Sequence, residues 1–374
     1  MLLLIVLLMT LFVIIVSLNV SFLFEMTIPV RSGYKELEAI FSSTPNLFAI
    51  EKVVGEKIPA PPVLRQSQQM GFADQVLDPD GKIRRALLAV KLSEQDNDLR
   101  YSLAVKLALN YLEAEDLRAE EVGGKRDTIV LGKAKFERMT RNDGGYVNAE
   151  VGGYQILLNF RGDQDNFTTF TLKELLNDQI PPQQLEDRIV LIGTTAASIK
   201  DAFLTPYSLS PDGTLQLMSG VYLHANIISQ ILSSAIEGRP LIKTWEQQLE
   251  YIWIYTWTIV GAVITWCLRA YSTIILGAIL AGICLLGICY LNFLGGWWIP
   301  SLPAMLSLSG TVIVLTLLIV ERIKQQDRLL FQRTLTLLLE AQKNYPVAGR
   351  IALEYLKQSE AKENQRLIER VLKN

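Results

Sequence analysis

The chain has 374 residues, half of them apolar, and its mean hydropathy of +0.25 exceeds that of an ordinary soluble domain. A net charge of −2 gives no indication of a nucleic-acid partner. The only histidine, His224, excludes multi-histidine metal sites and allows at most one catalytic triad. We therefore expect no metal, no cofactor and no enzymatic activity.

Four segments are apolar over the roughly 20 residues that a transmembrane helix requires. They are residues 2–24, 251–268, 272–294 and 297–320. Four tryptophans lie near the ends of these spans, where amphipathic rings favour the membrane interface. They are Trp253, Trp257, Trp297 and Trp298. The three cysteines, Cys267, Cys284 and Cys289, also lie in these segments and cannot cross-link a soluble domain. The sequence predicts one N-terminal span and an all-α bundle of three C-terminal spans at 251–320.

The orientation of the spans follows from the lysines and arginines in short loops, which stay in the cytoplasm. Arg269 lies between the second and third spans, and four such residues follow the last span: Arg322, Lys324, Arg328 and Arg333. Arg31 and Lys35, after the first span, favour the opposite orientation, but long domains cross a membrane largely regardless of charge. We expect a multi-pass protein of the plasma (inner) membrane, with its C-terminus in the cytoplasm and its soluble domain outside.

Residues 25–245 alternate short apolar runs with helical patterns, which predicts an α/β domain. The predicted strands are residues 47–54, 71–77, 83–90, 154–160 and 188–192, with a hairpin turn at Asp78-Pro79-Asp80-Gly81. The predicted helices are residues 101–112, 171–177 with a threonine cap, and 220–233.

The segment RIVLIGTTAASIKDAFLTPYS, residues 188–208, joins a strand through a glycine turn to a helix start. Backbone N–H groups and hydroxyls at Gly193, Thr194 and Thr195 can hold an anion or a carboxylate ligand. The alternative is a tight connector capped by the threonines. Asp201 and Thr205 line the same crevice in the first interpretation, and stabilise a loop through side-chain to backbone bonds in the second.

The segment GVYLHANIISQIL, residues 220–232, contains His224 and Asn226 and completes the tentative ligand site. A histidine there can act as a pH sensor or ligand contact. The alternative is a partly buried histidine that is hydrogen-bonded at a helix start. A hydrolase based on Asp201 and His224 lacks a nucleophile motif.

Several segments together resemble the type-two CHASE sensor domain, the cyclases/histidine kinases-associated sensory extracellular domain, in its cyanobacterial branch. They are IPVRSGYKELEAIF, APPVLRQSQQMGFADQVLDPDGKIRRALLAV, GGYQILLNFRG, RIVLIGTTAASIKDAFLTPYS and GVYLHANIISQILSSAIEGRP. The resemblance covers most of residues 28–320 and includes the three closely spaced spans. It implies an extracytoplasmic bacterial receptor that takes part in signal transduction, and it assigns no ligand-binding residue.

Two features depart from the family pattern. Family members place a strand and a helix of the sensor before the segment that matches Ile28-Pro29-Val30, whereas here an apolar stretch runs almost directly into it. Either the first βα unit is missing, or residues 1–26 are not native sequence. In addition, no output enzyme follows the spans.

The tail, residues 321–374, contains eleven Lys/Arg and seven Asp/Glu. Ile323, Leu330 and Leu337 recur every seven residues, which predicts that the last span continues into a helix able to pair with another. Pro346 ends this helix, and a second follows. We expect the tail either to bind a signalling partner or form a homodimer, or to lie on anionic membrane lipid.

Two functions remain open at this point. The first is a membrane sensor that detects an unknown stimulus, such as a small-molecule ligand, outside the cell and relays it through its spans to a cytoplasmic partner. The second is a structural or assembly protein whose soluble domain binds an envelope component or a protein.

Overall fold

The computed structural model describes residues 13–17, 34–92, 99–123, 126–195, 201–209, 212–268, 270–359 and 368. The chain divides into two compact units. The α/β unit comprises residues 1–248 and 289–299, and the helical unit comprises residues 249–288 and 300–374.

The helices are α1 Tyr34–Ser43, α2 Pro62–Gln66, α3 Leu103–Ala114, α4 Leu172–Leu176, α5 Gly220–Ile236, α6 Gln247–Cys267, α7 Tyr271–Leu294, α8 Ser301–Asn344 and α9 Pro346–Ser359. The strands are β1 Val13–Ser17, β2 Ala49–Glu51, β3 Met70–Phe72, β4 Arg85–Lys91, β5 Leu99–Tyr101, β6 Ala119–Val122, β7 Thr128–Leu131, β8 Ala134–Glu137, β9 Tyr154–Leu157, β10 Thr168–Thr171, β11 Ile189–Gly193, β12 Ala202–Phe203, β13 Met218–Ser219, β14 Lys243–Thr244 and β15 Trp297–Trp298. The predicted α/β character of residues 25–245 is confirmed.

Strand β1 forms the centre of a three-stranded parallel sheet, between β10 and β11. Ile14 pairs with Thr168 on one side and with Val190 on the other. This disagrees with the predicted transmembrane helix at residues 2–24, whose remaining residues lie outside the described part of the chain. The physical reason is that an apolar, β-branched run such as VIIVS satisfies a hydropathy test for spans and also suits a central parallel strand.

The other sheets are antiparallel or short. They are β5-β4-β9, β6-β7-β8, β2-β3, β12-β13 and β14-β15. The turn at residues 78–81 forms as predicted, because Gly81 N–H donates to Asp78 O at 2.8 Å and Gly81 adopts a φ of 77°. The predicted hairpin forms only next to this turn, where Asp78 N–H donates to Lys82 O at 2.9 Å and Val76 pairs with Arg85 in an antiparallel bridge. Further from the turn, β3 pairs with β2, and β4 pairs with β5 and β9.

A network of buried charge fixes this turn. The Asp78 carboxylate accepts hydrogen bonds of 2.8 Å from Arg84, Arg85 and the hydroxyl of Tyr146. Arg85 is 3% exposed and also donates to Gln155 Oε1 at 2.9 Å. A buried ion pair is tolerated when hydrogen bonds satisfy both partners, as they do here.

Helix α5 is the centre of the α/β core. Every residue from Gly220 to Ala235 is buried. The helix packs against α3, β1 and β11. Its bounds lie close to those of the predicted helix at 220–233. The bounds of α3 and α4 likewise lie close to the predicted helices at 101–112 and 171–177. Helix α4 has a complete capping box, in which Thr171 and Glu174 bond to each other's backbone N–H groups.

The helical unit contains a single long helix in which the last predicted span continues into the tail, as the sequence predicted. Helix α8 is 44 residues long and crosses the predicted boundary at residue 320 without a break. It ends before Pro346, also as predicted, and α9 packs against it. Phe331 of α8, Leu353 of α9 and the described Ile368 form one apolar cluster. The helix continues past the boundary because no glycine or proline occurs between Gly310 and Pro346.

Among the described helices, α7 and α8 are long and apolar enough to cross a membrane. They correspond to the predicted spans at 272–294 and 297–320. Helix α6 covers the predicted span at 251–268, but its tryptophans, tyrosines and threonines make it less apolar than the other two. The count of four spans therefore remains a prediction.

Candidate functional site

The predicted glycine turn lies against the first turn of α5. Gly193 ends β11, and a Cβ atom built on it would lie 2.7 Å from the Cβ of Val221. Any larger residue would push the strand end away from the helix. The carboxyl end of β11 thus meets the start of α5, which begins at Gly220. The sequence predicted a helix start directly after the glycine turn, within residues 188–208, and that helix start stays a prediction.

Asp201 lies at the same helix start. Gly220 N–H donates to the Asp201 main-chain oxygen at 3.1 Å, and a Cβ on Gly220 would lie 2.6 Å from both Asp201 carboxylate oxygens. Burial raises the pKa of the Asp201 carboxyl. The position suits a negative charge because the N-terminus of a helix carries a partial positive charge. Gly193 and Asp201 therefore both lie at the start of α5.

The two threonines that follow Gly193 differ in exposure. Thr194 is 7% exposed, whereas Thr195 is exposed. The next residues, 196–200, lie outside the described part of the chain. Whether this segment holds an anion therefore stays a prediction.

Thr205 is a structural residue of a tight turn. It is 1% exposed, its N–H donates to Ser208 Oγ at 2.9 Å, and its Oγ1 accepts from the N–H of Tyr207 at 3.2 Å. The structure therefore favours the loop-stabilising interpretation over a ligand contact at this residue.

His224 is buried within α5. Only 8% of it is exposed, and its Nε2 lies 3.4 Å from the side-chain nitrogen of Gln75. Its Nδ1 is buried without a hydrogen-bond partner, as is Oε1 of Gln75. Burial lowers the pKa of His224 to about 4, so the imidazole is neutral at pH 7. A ligand outside the fold does not reach this ring.

Asn226 is fully buried, and its side-chain amide hydrogen-bonds to the backbone of two separate segments. Its Oδ1 accepts from Arg161 N–H at 2.8 Å, and its Nδ2 donates to Gly162 O at 3.2 Å and Tyr222 O at 3.0 Å. One turn later, Gln230 accepts from Asn159 N–H and donates to Leu157 O, each at 3.0 Å. These amides satisfy the backbone that follows β9, as a neighbouring strand would.

No role for Gln230 or Asn159 was predicted from the sequence. The signal that could have identified Gln230 is the spacing of two amides four residues apart on a largely apolar helix. Such a spacing predicts two polar groups on one helix face, and buried polar groups require partners.

The segment between α7 and α8 also belongs to the α/β unit. Lys243 N–H donates to Gly296 O at 2.7 Å, and β14 pairs in parallel with β15. The ring of Trp298 covers Gly144, where a Cβ would lie 2.6 Å from it, and meets Tyr146 edge-on at 6.1 Å between centroids. Tyr146 in turn bonds to Asp78, so these contacts continue into the buried charge network.

Other candidate sites in the described part of the chain have little support. No group of three or more His, Cys, Asp or Glu residues could hold a metal ion there. A small cleft in the α/β unit is lined by residues that include Arg126, Lys135, Asp143 and Lys243, and by none of the predicted site residues. Arg126 and Asp143 form an ion pair of 3.0 Å within it.

Comparison with known proteins agrees with this architecture. The family model of the CHASE2 domain, a sensory extracellular domain, matches residues 12–263. This match covers more than half of the chain and starts one residue before β1, so it includes the strand that the sequence had assigned to a membrane span. Neither the curated proteins nor the solved structures gave a match. The chain therefore belongs to the CHASE2 family of sensory extracellular domains.

Proposed function

We propose that the protein is a membrane-bound extracytoplasmic sensor, which detects a stimulus with its α/β unit and relays it through its spans to a cytoplasmic partner. Membership of the CHASE2 family carries this proposal, because members of this family are sensory domains. The helices α7 and α8, which have the length and composition of membrane spans, support a location in the membrane. The tail at 321–374 is the region that meets the partner in this proposal.

The contacts of residues 289–299 offer a route for the relay. Trp298 packs on Tyr146 and Gly144 of the α/β unit, and the chain passes from Ile299 through Pro300 into α8. Helix α8 then continues for 44 residues into the charged tail. A shift in the Tyr146 region therefore acts on the start of a long, unbroken helix.

The relay requires two states that differ in the position of this segment. A stimulus changes the balance of the states only when it binds one of them more tightly than the other. The Tyr146 contact is suited to such a change, because it joins a buried network centred on Asp78 to a ring at the edge of the unit.

The proposal includes no catalytic step. His224 is buried against Gln75, and no nucleophile contacts it in the described part of the chain. Thr205 and Asn226 are occupied by backbone hydrogen bonds. In this proposal, a ligand that binds the α/β unit is released unchanged.

The location of the α/β unit is the first test. Cys267, Cys284 and Cys289 are replaced by serine or alanine, and a single cysteine is introduced as Asp165→Cys, at an exposed position. Intact cells are treated with a thiol reagent that does not cross the membrane. We expect labelling of this variant in intact cells.

The control is a second variant, Glu340→Cys, at an exposed position of α8 in the tail. It should be labelled only after lysis. Labelling of Glu340→Cys in intact cells together with protection of Asp165→Cys would reverse the orientation and exclude the inward relay.

A further inference from the structure

A pair of arginines lies beside the C-terminal end of β9. Arg239 Nη2 donates to Phe160 O at 2.8 Å and to Asn159 Oδ1 at 3.1 Å, so its guanidinium lies at the backbone of the residue before Arg161. Arg161 Nε donates to Ser229 Oγ of α5. Both side chains are therefore held in place by the fold.

Neither guanidinium has a carboxylate partner. In the part of the chain that the structure describes, the ion pairs of arginine involve Arg84, Arg85, Arg100, Arg126 and Arg138. A guanidinium carries five N–H donors, of which Arg161 uses one and Arg239 uses those of one nitrogen. Donors therefore remain on both side chains.

Charges of both signs act on Arg239. Burial, and after it the positive charge of Arg161, lowers the pKa of Arg239, while Tyr207 and Glu237 act in the opposite direction. The two like charges repel each other, and an anion bound by both guanidinium groups would relieve that repulsion.

Aromatic side chains lie beside the two arginines and could contact a bound ligand. Tyr207 is 46% exposed, and its ring lies 5.9 Å from that of Phe160, the residue that accepts from Arg239. The turn around Thr205 and Ser208 fixes the backbone of Tyr207. Three segments of the α/β unit thus meet at this place: residues 158–162, 205–209 and 237–240.

We propose that Arg161 and Arg239 form a binding site for an oxyanion of the carboxylate or phosphate class, with Tyr207 beside it. Planar guanidinium groups bind such anions through two parallel hydrogen bonds, which gives both strength and orientation. The site differs from the turn at Gly193 that the sequence indicated. This proposal specifies the chemical class of ligand that the sensor would bind. It rests on the proposed function only in assuming that binding of the anion is relayed to the tail.

The test uses the full chain in phosphatidylcholine nanodiscs, titrated calorimetrically with inorganic phosphate and, separately, with acetate. We expect at least one of the two anions to bind. The variants Arg161→Gln and Arg239→Gln should each weaken this binding by about tenfold or more, because each removes charged hydrogen bonds. Arg161→Gln is the decisive variant, since Arg161 is exposed and its loss spares the bonds of Arg239 to the backbone.

The matched control is Arg65→Gln, which removes an exposed arginine of α2 and should leave the affinity within about twofold. Equal affinities in all three variants, or no binding of either anion to the unaltered chain, would overturn the site. Thermal unfolding of each variant without anion establishes that it has folded.

Nanodiscs that contain phosphatidylglycerol distinguish the source of the anion. If the lipid headgroup is the ligand, the unaltered chain should melt higher in these nanodiscs than Arg161→Gln does, and added phosphate should have no further effect. If the ligand is a free anion, phosphate should bind equally in both lipids. Anion binding that leaves the labelling rate of Glu340→Cys unchanged would contradict the relay but retain the site.

Discussion

Helices α5 and α7 show opposite relations between polarity and burial. Helix α5 contains His224, Asn226, Ser229 and Gln230, and it is buried from Gly220 to Ala235. Helix α7 is almost wholly apolar, and its only buried residues are Ile274, Gly282 and Leu285. The general rule that apolar side chains are buried and polar side chains are exposed therefore does not describe either helix.

The difference has a physical cause. The amides of α5 are buried at low cost because they hydrogen-bond to the backbone between residues 157 and 162. The exposed leucines and isoleucines of α7 have no such compensation in water. The length and composition of α7 suit a membrane span, in line with the proposed location, whereas α5 is adapted to the interior of a protein.

The largest expected effect comes from replacing a leucine by alanine, in α5 in one variant and in α7 in another. Leu223→Ala removes a fully buried side chain of α5 and should lower the free energy of unfolding by about 2–5 kcal/mol. Leu280→Ala, at a position of α7 that is 58% exposed, should change it by less than about 0.5 kcal/mol. Urea unfolding in mild detergent, followed by tryptophan fluorescence, measures both. Similar losses at the two positions would contradict the comparison.

The next effect concerns insertion of α7. Leu280→Lys places a charge near the middle of the helix and should cost about 3 kcal/mol of insertion free energy. Leu294→Lys is the control, because a lysine at the helix end can extend its charge to the interface. The fraction of inserted protein in a reporter fusion measures the difference. Equal insertion of both variants would show that α7 does not lie in a membrane.

A smaller loss is expected for a polar residue of α5. Asn226→Leu leaves Arg161 N–H and Gly162 O without their partner and should destabilise the α/β unit by about 2 kcal/mol. Ser234→Ala is the matched control, because the Ser234 hydroxyl is buried without a hydrogen bond, and its removal should be neutral or stabilising. A stabilising effect of Asn226→Leu in thermal unfolding would show that burial alone governs this helix.

The last effect is a dependence on pH, which is spread over more than two pH units. The folded pKa of His224 is about 4, below the unfolded value, so the unfolded chain binds the proton more readily between those values. Stability should therefore fall as the pH drops from about 6.5 to about 4, by at most about 1.4 kcal/mol per pH unit. His224→Gln should remove this component in unfolding curves measured across that range. An unchanged slope in His224→Gln would assign the dependence to other groups.

Asp201 contributes with the opposite sign and serves as a reference. Its pKa is raised by burial, so the folded chain holds that proton more firmly, and this component of stability is lost as the pH rises. Asp201→Asn should therefore make the loss of stability on acidification steeper. His224→Gln should make the same loss shallower.

Much of the fold follows from local patterns. The threonine cap of α4, the glycine turn at Gly81 and the break before Pro346 occur where the sequence predicts them. Each depends on one residue type with a strong local preference. Pairing between strands does not depend on local preference, so the predicted hairpin of residues 71–90 forms only beside its turn, and β3 and β4 pair with other strands.

The candidate site was predictable only in part. Motifs identify Gly193 and Asp201, but tertiary packing decides that both lie at the start of α5. The bonds of Asn226 to Arg161 and Gly162 were not predictable either, because they join residues 64 or more positions apart along the chain. The same holds for Arg161 and Arg239, which belong to the resembling motifs but have no role assigned by them.

The sequence by itself determined the family, the α/β character of residues 25–245 and the apolar helices α7 and α8, because motifs, periodicity and hydropathy are properties of contiguous residues. Only the tertiary structure decided that Val13–Ser17 is a strand between β10 and β11, that α5 is buried with its polar side chains satisfied, and that Trp298 packs on Tyr146. Those outcomes depend on which distant segments supply hydrogen bonds and packing surfaces, and that choice is made by the whole fold.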